Sequence, residues 1–211
     1  MSIKVLLTDD HEVVRAGYAR LLESTPDIDV IAEASSGEEA CSEYLSHRPD
    51  VLIMDLNMPG IGGLEACRRI LVRDPKACIL IFSVHENEIM LERALNAGVK
   101  GYISKRSASE VMVAAVQQVA AGGVFIGQEM MPHLVDRGTS TEGGQLKGLT
   151  PREFEVFRLL ADSKSVIEIA GILNISPKTV GHHMTHIKEK LGISNIAGLT
   201  HLAIRLGITS A

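Results

Sequence analysis

The chain contains no tryptophan, and its aromatic complement is three tyrosines and four phenylalanines. Aliphatic side chains must therefore fill most of the core. Cysteine is just as scarce. Cys41, Cys67 and Cys78 are odd in number and lie in separate amphipathic or apolar segments. That excludes a disulfide scaffold and predicts free thiols, largely buried, in a reducing cytoplasm. No apolar run approaches the roughly 18 residues that a membrane span needs. The opening residues MSIKVLL lack a basic leader and a small-residue cleavage site and lead straight into a strand. Neither a signal peptide nor a membrane partner is expected. What is present suits a cytoplasmic globular protein: 45% hydrophobic and 22% charged residues among 211, enough for one large domain or two smaller ones.

Charge is unevenly placed. Residues 1–125 hold 12 Lys/Arg against 18 Asp/Glu, whereas residues 149–211 hold 7 against 5, together with His182, His183, His186 and His201. An acidic front and a mildly basic rear fit a two-part protein whose rear half meets a polyanion.

Apolar runs alternate with amphipathic stretches through the first 125 residues. The pattern predicts strands near 3–8, 28–34, 50–55, 78–83 and 99–103. Helices are predicted near 12–24, 37–47, 63–73, 86–96 and 108–121. Five such units imply a doubly wound five-stranded parallel sheet with helices on both faces. In the last helix Ser107 reads as the cap, with Glu110 completing a capping box and Gly122-Gly123 ending it. Residues 126–147 read as a linker, polar and glycine-rich after a short helical QEMMPHLVD segment. Residues 148–211 hold no strand-like run. Capped starts at Thr150-Pro151 and Ser176-Pro177 mark two of four short helices, a compact all-helical module.

The acidic ends of two strands carry the chemistry. KVLLTDD closes on Asp9 and Asp10, and DVLIMD closes on Asp55. Buried parallel strands deliver such residues to the carboxyl edge of the sheet, where α/β folds keep their ligand crevices. Lys105, closing VKGYISK, arrives at the same edge. An Asp at a strand end often merely caps a helix, and Asp10 could cap the one starting near His11; convergence of four groups from three strands favours a site. Hard oxygen ligands suit Mg²⁺, assigned to Asp10 and Asp55, with Asp9 direct or through water and the backbone carbonyl of Asn57 as a further ligand. Asp55, alone at the end of the middle strand, is the choice for a nucleophile that forms an acyl phosphate. Lys105 is its charge partner, and the Ser83 hydroxyl a donor to a phosphoryl oxygen. MPGIGG after Asp55 gives an open loop through which backbone amides approach the anion. Tyr102 reads either as core filler or as a side chain that moves with Ser83.

With LLTDDH, IMDLNMPGIGG, FSVH and GYISK at the right spacing, the first 121 residues resemble the flavodoxin-like receiver domain of bacterial two-component response regulators. LTPRE, the EIA segment, ISPKTV and KLGI resemble the LuxR-type helix-turn-helix, so the whole chain is similar to the NarL/FixJ class. The resemblance implies that Asp55 accepts phosphate from a sensor histidine kinase. It also implies that Asp9 and Asp10 help hold Mg²⁺, that Lys105 contacts the phosphoryl group, and that Ser83 and Tyr102 form a switch pair. A haloacid-dehalogenase-like phosphatase would need a second acid two residues after the nucleophile, where this chain has Asn57. The protein is thus expected to be no enzyme beyond gaining and losing its own phosphate. A signalling adaptor whose helical module binds protein is the alternative.

Two helices separated by the turn at Asn174–Ser176 give the geometry of a helix-turn-helix. In the second, Val180, Met184, Ile187 and Leu191 form a buried stripe. Lys178 and Thr179 are expected near the phosphate backbone, Gly181, His182 and Thr185 on the base-facing surface, and Lys188 near a phosphate of double-stranded promoter DNA. His182 and His186 are four apart but have no third ligand in view, so metal is not expected there. Phosphorylated receivers are expected to pair, setting two recognition helices one DNA turn apart. The chain departs from its class where lysine is common, at Gly181 and Thr185, and Ile196 stands where arginine often follows the asparagine. Each missing cation lowers affinity and salt dependence. The helical module expressed alone should therefore bind DNA weakly with a shallow salt slope. A salt-titrated binding assay checks this, and tight monomeric binding would contradict it.

Overall fold

The computed structural model describes residues 2–86, 88–107, 109–132 and 146–209. The chain forms two compact units, one built on the sheet and the other on the last four helices. In the first, β1 (Ile3–Thr8), β2 (Ile28–Ala34), β3 (Val51–Met54), β4 (Ile79–Ser83) and β5 (Gly101–Ser104) alternate with α1 (Glu12–Glu23), α2 (Gly37–His47), α3 (Gly62–Arg73), α4 (Glu88–Ala97) and α5 (Ser109–Ala120). Every residue of β3, β4 and β5 is buried. Helices cover both faces of such strands, which is why they read as unbroken apolar runs and not as alternating ones. Val5, Leu7, Ile53, Leu80, Phe82 and Ile103 meet Leu22 of α1 and Met112, Val116 and Val119 of α5 in the core.

All pairings are parallel, in the order β2-β1-β3-β4-β5-β6. The sheet has six strands, where the sequence pattern predicts five. β6 (Phe125–Ile126) pairs with Gly101 and Tyr102 of β5. Two residues carry no period, so nothing in the local pattern marks them as a strand. A 3₁₀ turn, Gln128–Met130, opens the expected QEMMPHLVD helix, with 131–132 helical after it and 133–136 outside the described residues. Ser107, expected to bond within its own helix, donates its hydroxyl to Glu129, which also accepts from the Ser104 amide at 2.9 Å. Residues 125–130 are thus tied to the sheet unit, while the rest of the expected linker, 133–145, lies outside the described residues.

The three cysteines are free, and burial pushes the Cys67 thiol up. Among the described residues no helix is long and apolar enough to cross a membrane.

The second unit comprises α6 (Pro151–Ala161), α7 (Val166–Leu173), α8 (Pro177–Leu191) and α9 (Ile196–Arg205). Capping boxes close the starts of α6 and α7, through Thr150 with Glu153 and Ser165 with Glu168. Asn174 ends α7 at φ 52 and Gly192 ends α8 at φ 66, the left-handed geometry of a C-terminal cap. Glu153 serves twice. Besides capping α6 it accepts from Lys190 Nζ of α8 at 2.6 Å. Burial acts to raise its carboxyl, but the bonds from Lys190 and Thr150 prevail and hold it down at about 2. A lowered native pKa contributes stability that is present above the unfolded value of 4.5 and is lost as pH falls towards 2. Glu153→Gln should flatten that acid loss. Urea melts of the helical unit at pH 6 and pH 3 (conditions of about these values) check this, the wild type losing more stability between them than the variant.

Candidate functional site

Strand order reverses at β1 and β3: the chain steps from β1 out to β2, then returns to the other side of β1. Connections leave in opposite directions there and open a crevice at the carboxyl edge. Asp9 directly follows β1 and Asp55 directly follows β3, so the topology sets both at that opening. Lys105 follows β5, two strands away, and its long side chain spans the gap.

Lys105 Nζ lies 2.7 Å from Asp55 Oδ2 and 2.5 Å from Asp9 Oδ2. Both carboxylates are only 1% exposed. Asp55 Oδ1 accepts from the Asn57 amide at 3.1 Å, and Asp9 Oδ1 from the His11 amide at 2.9 Å. Burial pushes the Asp55 carboxyl up against the opposing pull of Lys105. Burial would lower Lys105, yet Asp55 and Asp9 together raise it, so the ammonium stays charged. One ammonium between two acids leaves the trio with an excess negative charge. Asp10, exposed beside them, adds a second, with its Oδ1 at 2.9 Å from His11 Nδ1.

That excess equals the charge of one divalent cation, and carboxylate oxygens are the donors Mg²⁺ selects. Asp9 Oδ2 is buried, and its contact with Lys105 is charge pairing without an aligned hydrogen bond. The residues present therefore fit the group. Among the described residues one cluster brings three acidic or imidazole ligand atoms within 4.8 Å of one another, and it is Asp9, Asp10 and His11. The structure thus places Asp9 beside Asp10 and His11, and Asp55 beside Lys105, its expected charge partner. His11 stands at the expected helix start and also joins this cluster. Its adjacency to the acid pair was the available signal.

Ser83 and Tyr102 are both fully buried. They converge on the segment after β4: the His85 amide donates to Ser83 Oγ at 3.2 Å, and the Tyr102 hydroxyl donates to the His85 carbonyl at 2.8 Å. Burial pushes the Tyr102 hydroxyl up, so it remains a donor. The His85 ring reaches the Asn57 side chain at 2.8 Å, linking the loops after β3 and β4 across the crevice mouth. His85 stands inside the FSVH motif, yet two-residue spacing from Ser83 gives no hint of a partner 28 positions earlier.

Within MPGIGG, expected as an open loop, Gly60 and Gly62 take positive φ of 74 and 73, and Gly63 has a packing role of its own. A Cβ on Gly63 would lie 1.9 Å from the Asp55 carbonyl oxygen. Only glycine lets the first turn of α3 close on the backbone that carries Asp55.

In the helical unit, α7, the Asn174–Ser176 turn and α8 form the helix-turn-helix. Ser176 Oγ accepts from the Thr179 amide at 3.1 Å and bonds Thr179 Oγ1 at 2.8 Å. Val180, Ile187 and Leu191 are buried, while Met184, expected with them, is only partly so. Lys178, His182 and Thr185 are exposed, and Thr179, Gly181 and Lys188 are half-exposed. The six residues expected to meet DNA thus keep accessible surface. His182 and His186 rings stand 4.1 Å apart, and His186 Nδ1 lies 3.7 Å from Glu153.

A doubly wound parallel sheet with an acidic switch-point edge, followed by a helix-turn-helix module, is the architecture of a receiver-type regulator. Residues 5–117 match the family described as the response regulator receiver domain, and residues 147–203 match the bacterial regulatory proteins of the luxR family. The transcriptional activator protein ExaE of Pseudomonas putida is 41% identical, the match covering 97% of each chain. The response regulator GacA of Pseudomonas aeruginosa is 35% identical over 99% of each. Among solved structures, RcsB of Salmonella enterica serovar Typhimurium, bound to a promoter in the presence of a phosphomimetic, aligns with a TM-score of 0.74 at 26% identity, over 96% of this chain and 98% of that one. The chain belongs to the NarL/FixJ class of two-component response regulators, with a receiver and a LuxR-type DNA-binding domain. Membership makes it a phosphoryl acceptor and not an enzyme in the ordinary sense.

Gly63→Ala should displace the Asp55 backbone, destabilise the sheet unit by about 1–3 kcal/mol and slow phosphorylation. A thermal melt and a phosphate-affinity gel check the two effects, and unchanged behaviour in both would contradict the packing role.

Proposed function

We propose that Asp55 accepts a phosphoryl group from the phosphohistidine of a sensor kinase and that this controls binding of the helical unit to promoter DNA. The observation that carries the reading is Lys105 held between Asp55 and Asp9 at the β1/β3 opening. An Asp55 oxygen attacks phosphorus in line with the phosphohistidine nitrogen; the new O–P bond forms as the N–P bond breaks, and the imidazole leaves with the bonding pair. Lys105 already stands beside the nucleophile and neutralises the charge that gathers on the phosphoryl oxygens. Asp9, Asp10, Asp55 and the Asn57 carbonyl would hold Mg²⁺, which supplies further positive charge to those oxygens when bound.

Ser83 Oγ accepts a bond from the His85 amide, which leaves its own proton to offer to a phosphoryl oxygen. A shift of Ser83 pulls on the same residue whose carbonyl anchors Tyr102. The pair thereby couples the state of Asp55 to the chain leading into α4. Phosphorylation then favours a homodimer that sets two α8 helices about 34 Å apart on the duplex. Lys178, Thr179 and Lys188 meet phosphates, while His182 and Thr185 face bases. Family membership and the RcsB–promoter relative support the DNA partner.

Genome-wide footprinting of the wild type against Asp55→Ala tests both halves. Footprints present in the wild type should disappear or fade severalfold in the variant. Identical footprints would refute control by phosphate, and no footprint from either protein would refute the DNA role.

A further inference from the structure

Gly181 lies on the accessible side of α8, and a Cβ built there would meet nothing within 4 Å. No cap, positive φ or close packing inside the chain calls for glycine at this place. A helix interior is also where glycine is least suited. One turn on, exposed Thr185 donates its hydroxyl to the Gly181 carbonyl at 3.2 Å. The hydroxyl proton is spent on the helix, and what this side chain offers a partner is its methyl group and oxygen lone pairs. Phosphate is poorly served here. The Val180 amide already bonds the Ser176 carbonyl at 3.1 Å, so amides from Gly181 onward are used within the helix and give an anion no donor.

We propose that Gly181 and Thr185 form a notch that takes the C5-methyl group of a thymine in the major groove, so that this chain reads one T·A pair per half-site by close apolar contact. The inference rests on α8 being the DNA-reading helix. A threonine methyl is a fitting partner for the thymine methyl. A helix backbone without a side chain lets the base edge come nearer than any other residue would. Lysine here would hold a phosphate whatever the sequence; glycine gives up that contact for one that depends on the base.

The test uses the full-length protein, phosphorylated with a small-molecule phosphodonor, to select duplexes from a random pool. Each thymine of the selected duplex is then replaced singly by deoxyuridine, which removes only the methyl group. One position per half-site should lose about fourfold in affinity with the wild type. Gly181→Ala should raise the melting temperature, bind the selected duplex more weakly, and show no further loss on deoxyuridine at that position. The proposal is overturned if no deoxyuridine weakens the wild type, or if Gly181→Ala binds as tightly with the same sensitivity. Failure to enrich any duplex would instead overturn the DNA-binding reading itself, and the notch with it.

Discussion

One ammonium ion shared by two buried carboxylates is the interaction on which the receiver depends. Asp9 and Asp55 are almost wholly removed from water, and neither could keep its charge there unaided. Lys105 meets both from the far side of β4 and so ties the ends of β1, β3 and β5 together. The compensation is incomplete, because one positive charge serves two negative ones. A crevice left short of positive charge suits an added cation. In the proposed reaction it would also feel an added phosphoryl group strongly, since acyl phosphate carries more negative charge than the carboxylate it replaces. Electrostatic imbalance at the strand ends is therefore a property of the resting state that the proposed reaction exploits.

The segment around His85 turns that imbalance into a mechanical link. Its amide, carbonyl and ring are each engaged, by Ser83, Tyr102 and Asn57 respectively. Three bonds, from the loop after β3, the end of β4 and the middle of β5, converge on one residue of a loop, where backbone rearrangement is cheapest. On the proposed reading, small movements of Ser83 pass through His85 to a tyrosine whose ring fills the core.

Glycine has opposite uses in the two domains. At Gly63 the chain itself fills the space, because the Asp55 carbonyl occupies the place of a side chain. At Gly181 a Cβ would meet nothing within 4 Å among the described residues. The first glycine secures the backbone of the proposed phosphoacceptor, while the second shapes the surface proposed to read DNA. In the same unit the ordinary cohesion comes from caps and from Glu153, which joins the start of α6 to the end of α8 through Lys190. The recognition helix is anchored at its far end by Lys190 and along its inner face by Val180, Ile187 and Leu191, while Gly181 lies on the accessible side.

Runs such as VLIM and ILIFS, buried on both faces, declare parallel strands by themselves, and Thr150-Pro151 or Ser176-Pro177 declare helix starts through local capping chemistry. These signals lie within a few residues, so the sequence alone determined the element order, the two-unit plan and the acids at the strand ends. Contacts between distant segments were decided only by the tertiary structure. β6 exists because β5 offers an open edge to a two-residue segment. Ser107 leaves its expected cap because Glu129 arrives beside it. The His85 ring meets Asn57, 28 positions away, while His11 joins the acid pair. Local patterns record what a segment prefers, whereas pairing of charge and closure of a sheet edge depend on which partners the fold brings within 3 Å or so, and that information is spread over the whole chain.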